Sequence, residues 1–72
     1  MDIKERWNQA LQYHGFMRLG NEYHKYKGRI AINNLFTVEG ILKITLTDDD
    51  IIVENANKQI TMSYNFVKKV VF

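Results

Sequence analysis

The sequence predicts a mainly β protein of α+β character: an N-terminal helix followed by a five-stranded, strongly bent antiparallel barrel. Three observations carry this. Apolar residues recur at helical spacing near the start, an unbroken alternation of apolar and polar residues runs from Phe36 to Leu46, and a glycine sits in the middle of that alternation. Seventy-two residues leave room for one hydrophobic core, so the reading is a single domain, 1–72, with the helix at about 2–14 and the barrel at about 23–72.

The helix comes first. Ile3, Trp7, Ala10, Leu11 and His14 fall at spacings of three and four and share one stripe. Asp2 stands where an N-cap belongs, and Glu5 three residues on completes a capping box. Gly15 suits the left-handed position after the last turn, with Phe16 folding back onto the helix.

Phe16 to Asn21 has no clean period, and Gly20-Asn21 reads as a turn. From Tyr23 to Ile32 the alternation puts His24, Tyr26, Ile30 and Ile32 on one face, and Tyr23, Lys25, Lys27 and Arg29 on the other. Asn33-Asn34 suits a two-residue hairpin turn, because asparagine tolerates positive φ. The next strand places Phe36, Val38, Gly40, Leu42, Ile44 and Leu46 on one face, and its glycine allows the sharp bend by which a small sheet curls. Asp48-Asp49-Asp50 reads as a tight turn before the strand Ile51–Glu54, and 55–58 as a second turn. Gln59–Tyr64 alternates again with Ile60, Met62 and Tyr64 facing in, and after a break at 65–69 the chain closes on Val70-Val71-Phe72.

Composition excludes several classes of function. A hydrophobic fraction of 46% argues against disorder. With no cysteine, disulfides and thiolate metal sites are impossible. The charged start with no apolar run behind it is no signal peptide, and no apolar run is long enough to span a bilayer, so the expectation is a cytoplasmic protein without a membrane partner. A net charge of +2 is small for a dedicated nucleic-acid binder, but the charge is segregated. Arg18, Lys25, Lys27 and Arg29 make the first half basic, whereas Glu39, Asp48, Asp49, Asp50 and Glu54 make the middle acidic.

The basic, aromatic stretch from Tyr23 to Arg29 is the main candidate site. Lys25, Lys27 and Arg29 at alternate positions would project from one strand face toward a phosphate backbone, with Tyr23 placed to stack a base. The plain structural alternative is a solvated face whose charges discourage edge pairing. The aspartate triplet lacks the ligand spacing of a cation loop, and consecutive turn residues cannot all face one ion. His14 and His24 lie on different elements and make at most a partial metal site. Ser63, the single serine, has no base and orienting group near it in sequence. The reading is a non-enzymatic protein with no catalytic residues, metal or cofactor.

Taken together, this order resembles the Sm-like family, and within it the bacterial Hfq branch: a helix, then five strongly bent strands, in about this length. The run Ile30-Ala31-Ile32-Asn33-Asn34-Leu35-Phe36-Thr37-Val38-Glu39-Gly40 looks like the family's strand, turn, second strand and glycine before the bend. Gln59–Val71 follows its closing segment, and Trp7-Asn8-Gln9-Ala10-Leu11 its aromatic, Ala-Leu helix. The resemblance implies an SH3/Sm-like barrel that binds RNA and assembles into a ring through its last two strands. It would place Gln59, Thr61, Ser63, Val70, Val71 and Phe72 at an oligomer interface. Where the Hfq closing turn carries a Lys-His pair that helps bind uridine-rich RNA, this chain has Tyr64 and Asn65, and the late basic residues of the family's helix are here Gln12 and Tyr13. The linker from Gly15 to Gly28 is also longer than the family's.

The expected function is therefore a small binding module that forms a homo-oligomer and contacts RNA or single-stranded DNA through Tyr23, Lys25, Lys27, Arg29, Tyr64 and Asn65. The alternative is a protein-interaction module, such as a phage-type inhibitor or accessory factor with a PH-like sheet, that binds a protein partner and no nucleic acid.

Overall fold

A computed structural model describes residues 2–72; Met1 lies outside the described residues. The elements are α1 (Ile3–Tyr13), β1 (Met17–Leu19), β2 (Glu22–Ile32), β3 (Phe36–Leu46), β4 (Asp50–Glu54), β5 (Gln59–Ser63), a 3-10 turn (Tyr64–Phe66) and β6 (Val70–Val71).

The helix begins and ends by the local chemistry of its caps. The Asp2 carboxylate accepts the Glu5 backbone N–H at 2.8 Å, satisfying one of the orphan donors of the first turn. The Glu5 carboxylate accepts from the Asn8 side chain at 3.3 Å. At the other end Gly15 takes φ +88°. The Phe16 N–H reaches the Leu11 carbonyl at 3.0 Å and the Gly15 N–H the Gln12 carbonyl at 3.1 Å, a Schellman ending. Phe16 and Leu11 are both buried, as that motif's apolar contact requires.

The sheet is antiparallel throughout, six-stranded, ordered β1-β2-β3-β4-β5 with β6 on β2. β3 covers one edge of β2 along its length. The other edge is shared, with β1 at Glu22–His24 and β6 at Ala31–Ile32. One strand more than expected is present, because β1 occupies the stretch without a period. Its three residues are all exposed, so no buried face marks it in the sequence. The expected closure is also absent: among the described residues no ladder joins β1 to β5, and the sheet stays open between them.

β2 departs from the expected pattern in an instructive way. Lys25 pairs with Leu42 but Gly28 pairs with Gly40, so β2 carries one residue more than β3 over this interval. That is a β-bulge, and it inverts the alternation. Tyr23, expected on the outer face, is buried, whereas Tyr26, expected to face in, is 77% exposed. Beyond the bulge Ile30 and Ile32 face the core as expected. Gly28 permits the fold-back. A Cβ there would stand 2.9 Å from Leu42 Cδ1 and 3.1 Å from Lys25 Cδ. In β3 the expected face holds, with Val38, Leu42, Ile44 and Leu46 buried around a Gly40 at φ +102°.

The remaining turns follow their side chains. Asn33 and Asn34 take φ 55° and 56°, the conformation of a type I′ hairpin. Thr47 Oγ1 accepts the Asp50 N–H at 2.9 Å. The Asn55 side-chain oxygen accepts the N–H groups of Asn57 and Lys58. Ile51, Val53 and Met62 bring β4 and β5 into one core with Trp7 and Leu11 of the helix. Leu11→Ala should therefore lower the unfolding free energy by about 3 kcal/mol, and Gly28→Ala by about 2 kcal/mol through overpacking, both read by urea denaturation.

Candidate nucleic-acid interface

The residues expected to form one binding face are separated by the bulge and put to different uses. Tyr23 points inward, and its hydroxyl donates to Asn8 Oδ1 at 2.6 Å. The same oxygen accepts from Gln12 Nε2 at 2.8 Å and Arg18 Nη1 at 3.0 Å. Asn8 is thus the point at which α1 is fastened to β1 and β2. Lys25 donates to the His14 carbonyl at 2.8 Å and lies over the Phe16 ring. It serves as a cationic cap on the helix C-terminus, where the dipole favours it. Arg29 is exposed but stands 3.8 Å from the Glu39 carboxylate across the strand pair. Of the three basic residues, Lys27 alone is exposed without an ion pair or side-chain hydrogen bond among the described residues.

The two residues at the closing turn also differ. Tyr64 is half-buried and donates to the Thr47 carbonyl at 2.5 Å. Burial raises its pKa above the ordinary tyrosine value, with Asp48 and Asp50 adding to the effect. Asn65 is exposed on the 3-10 turn. Of the residues expected at an oligomer interface, Gln59, Thr61 and Ser63 are exposed on β5, whose outer edge carries no strand. Val70 and Val71 pair with the chain's own β2. Phe72 stacks on His14 with ring centroids 4.2 Å apart.

The outward sheet face is electrically occupied. Glu22 meets His24 at 3.1 Å and Lys43 at 3.6 Å, and Lys43 also reaches Glu54 at 3.9 Å. The His24 hydrogen bond, then the Lys43 charge, hold the Glu22 carboxyl below its ordinary pKa. At the acidic turn Asp48 pairs with Lys4. Among the described residues no cluster of three or more His, Cys, Asp or Glu could hold a metal ion. No helix among them is long and apolar enough to cross a membrane.

What sequence reasoning missed is a cleft of about 450 Å³ between α1 and the segment leading into β6. Ile3, Trp7 and Ala10 form one wall and Val67, Val70 and Phe72 the other, with Arg6, Lys68 and Lys69 at the rim. Among the described residues no Asp or Glu lines it. These three cations are exposed, and none makes an ion pair or side-chain hydrogen bond among the described residues. Arg6 and Lys68 lie far apart in the chain, so no local pattern could have joined them.

Asn33 holds the second wall in place. Its side-chain N–H donates to the Phe66 carbonyl at 2.8 Å, and its side-chain oxygen accepts the N–H groups of Lys68 at 2.7 Å and Lys69 at 2.9 Å. Its own N–H reaches the Lys69 carbonyl at 2.8 Å. A hairpin turn thereby grips the segment that carries the two lysines.

Searches of protein-family models, of curated proteins and of solved structures found no match to this chain.

Two outcomes follow. Asn33→Gly keeps the backbone freedom and loses the three side-chain bonds, costing about 2 kcal/mol. Asn33→Ala adds the left-handed penalty, about 1 kcal/mol more, and the difference between the two is read by denaturant midpoint. For Glu22, a lowered pKa means stability that is full above about pH 4.5 and lost as pH falls through the folded value. Glu22→Gln should flatten that acid limb in a pH series of thermal midpoints.

Proposed function

We propose that the chain is a non-enzymatic binding module of Sm-like type that takes single-stranded nucleic acid. The observation that carries the reading is the pairing of unneutralised cations with exposed aromatic rings. Lys27 adjoins Tyr26 at the bulge, and Lys68 and Lys69 follow Phe66, which is 42% exposed. A single strand needs both features: cations along its phosphates and ring faces for its bases. The succession of β5, 3-10 turn and β6 returning to β2 agrees with the closing segment that the Sm resemblance implies. In this reading the open edge of β5, with Gln59, Thr61 and Ser63 beside it, is where a second copy pairs.

The test is fluorescence anisotropy with a labelled ten-nucleotide RNA and its DNA counterpart at several salt concentrations. The triple variant Lys27→Ala, Lys68→Ala, Lys69→Ala should bind at least tenfold more weakly, with a salt slope shallower by roughly 2. Arg29→Ala, whose cation is already paired, should change little. Parent-like binding by the triple variant would remove the assignment. Light scattering should show an oligomer; a monomer at all concentrations would remove the ring.

A further inference from the structure

The cleft differs in kind from the exposed pair of Tyr26 and Lys27 at the bulge. It is concave, apolar on both walls and cationic at the rim. At about 450 Å³ it falls at the small end of ligand sites rather than on the scale of a groove for a helix. Trp7, the chain's single tryptophan, lines the cleft although it is only 7% exposed. Arg6 stands one residue before it on the helix, with Lys68 and Lys69 across the opening. An occupant matched to this lining has an apolar body and carries negative charge at one end.

We infer that this cleft is a nucleotide subsite: it holds one base between α1 and the Val67–Val70 wall, with the attached phosphate on Arg6, Lys68 and Lys69. The inference rests on the nucleic-acid reading above and makes it specific. A nucleotide meets both demands, since its base has apolar faces and its phosphate satisfies cations that have no internal partner. Arginine engages phosphate through two parallel N–H groups, and lysine adds mobile point charges. Among the described residues no Asp or Glu side chain lines the cleft beside these cations. Elsewhere in the fold, Lys27 apart, the cations are spent differently: Lys4, Arg29 and Lys43 face carboxylates. Lys25 and Lys58 donate to backbone carbonyls. The cleft is the place where three free cations and an apolar recess coincide.

Trp7 supplies the readout. Its indole N–H resonance is followed by NMR during separate titrations with uridine monophosphate, adenosine monophosphate, ribose 5-phosphate and inorganic phosphate. At least one nucleotide should shift it saturably, with ribose 5-phosphate at least tenfold weaker. Ala10→Leu fills the recess, and Arg6→Gln removes a phosphate contact without touching the wall. Each should weaken the nucleotide at least tenfold with an unchanged thermal midpoint. Should Ala10→Leu fail to fold, Arg6→Gln decides alone. Equal shifts by inorganic phosphate would reduce the cleft to an anion site and overturn the inference, as would stronger binding of a soluble short-chain phosphatidic acid. Oligonucleotide binding with an unmoved indole resonance would overturn the subsite while the broader reading stands. No oligonucleotide binding at all would remove both.

Discussion

The grip of Asn33 on the segment from Phe66 to Lys69 is the constraint on which the rest of this structure depends. One residue sets the hairpin between β2 and β3, by accepting a left-handed backbone, and orders the approach to β6, by satisfying three backbone polar groups. Those groups lie in a stretch with no regular partner, where unpaired amides and carbonyls would otherwise need water. β6 itself contributes only a two-residue ladder. Without the asparagine, so short a strand would have little to hold it against β2. The core beneath it is conventional by comparison, a single cluster in which Trp7, Leu11 and Phe16 meet the inward residues of β2 to β5.

Much of this was legible in the sequence, and the reason is locality. A cap is decided within four residues, and Asp2 and Gly15 behave as their chemistry demands. The alternation of β3 survives on both sides of Gly40 because Val38, Leu42, Ile44 and Leu46 meet the same core. The asparagine pair forms its turn because few other residues accept both torsions. The general class, one helix before a mainly antiparallel sheet, follows from these pieces.

What escaped depends on pairing between distant residues. The bulge in β2 exists only relative to β3, and it brings Gly28 close to Leu42, where a Cβ would crowd it. Reading β2 alone therefore put Tyr23 and Tyr26 on the wrong sides. That single offset removes Tyr23 from the candidate face, while the helix end takes Lys25. β1 was hidden because it is short and exposed. The cleft was hidden because its two walls come from opposite parts of the sequence.

The placement of β6 has a dynamic consequence. β2 and β3 zip from a two-residue turn, whereas β6 returns to Ala31 from forty residues away, so its docking closes a long loop for a small reward. The last strand and its preceding segment are thus held by few contacts, the kind of unit that opens by local unfolding. One wall of the cleft belongs to that unit. Occupancy of the cleft and closure of the chain's final segment are then a single linked equilibrium: whatever fills the recess also staples the fold shut, and amide exchange at Lys68 and Lys69 reports both.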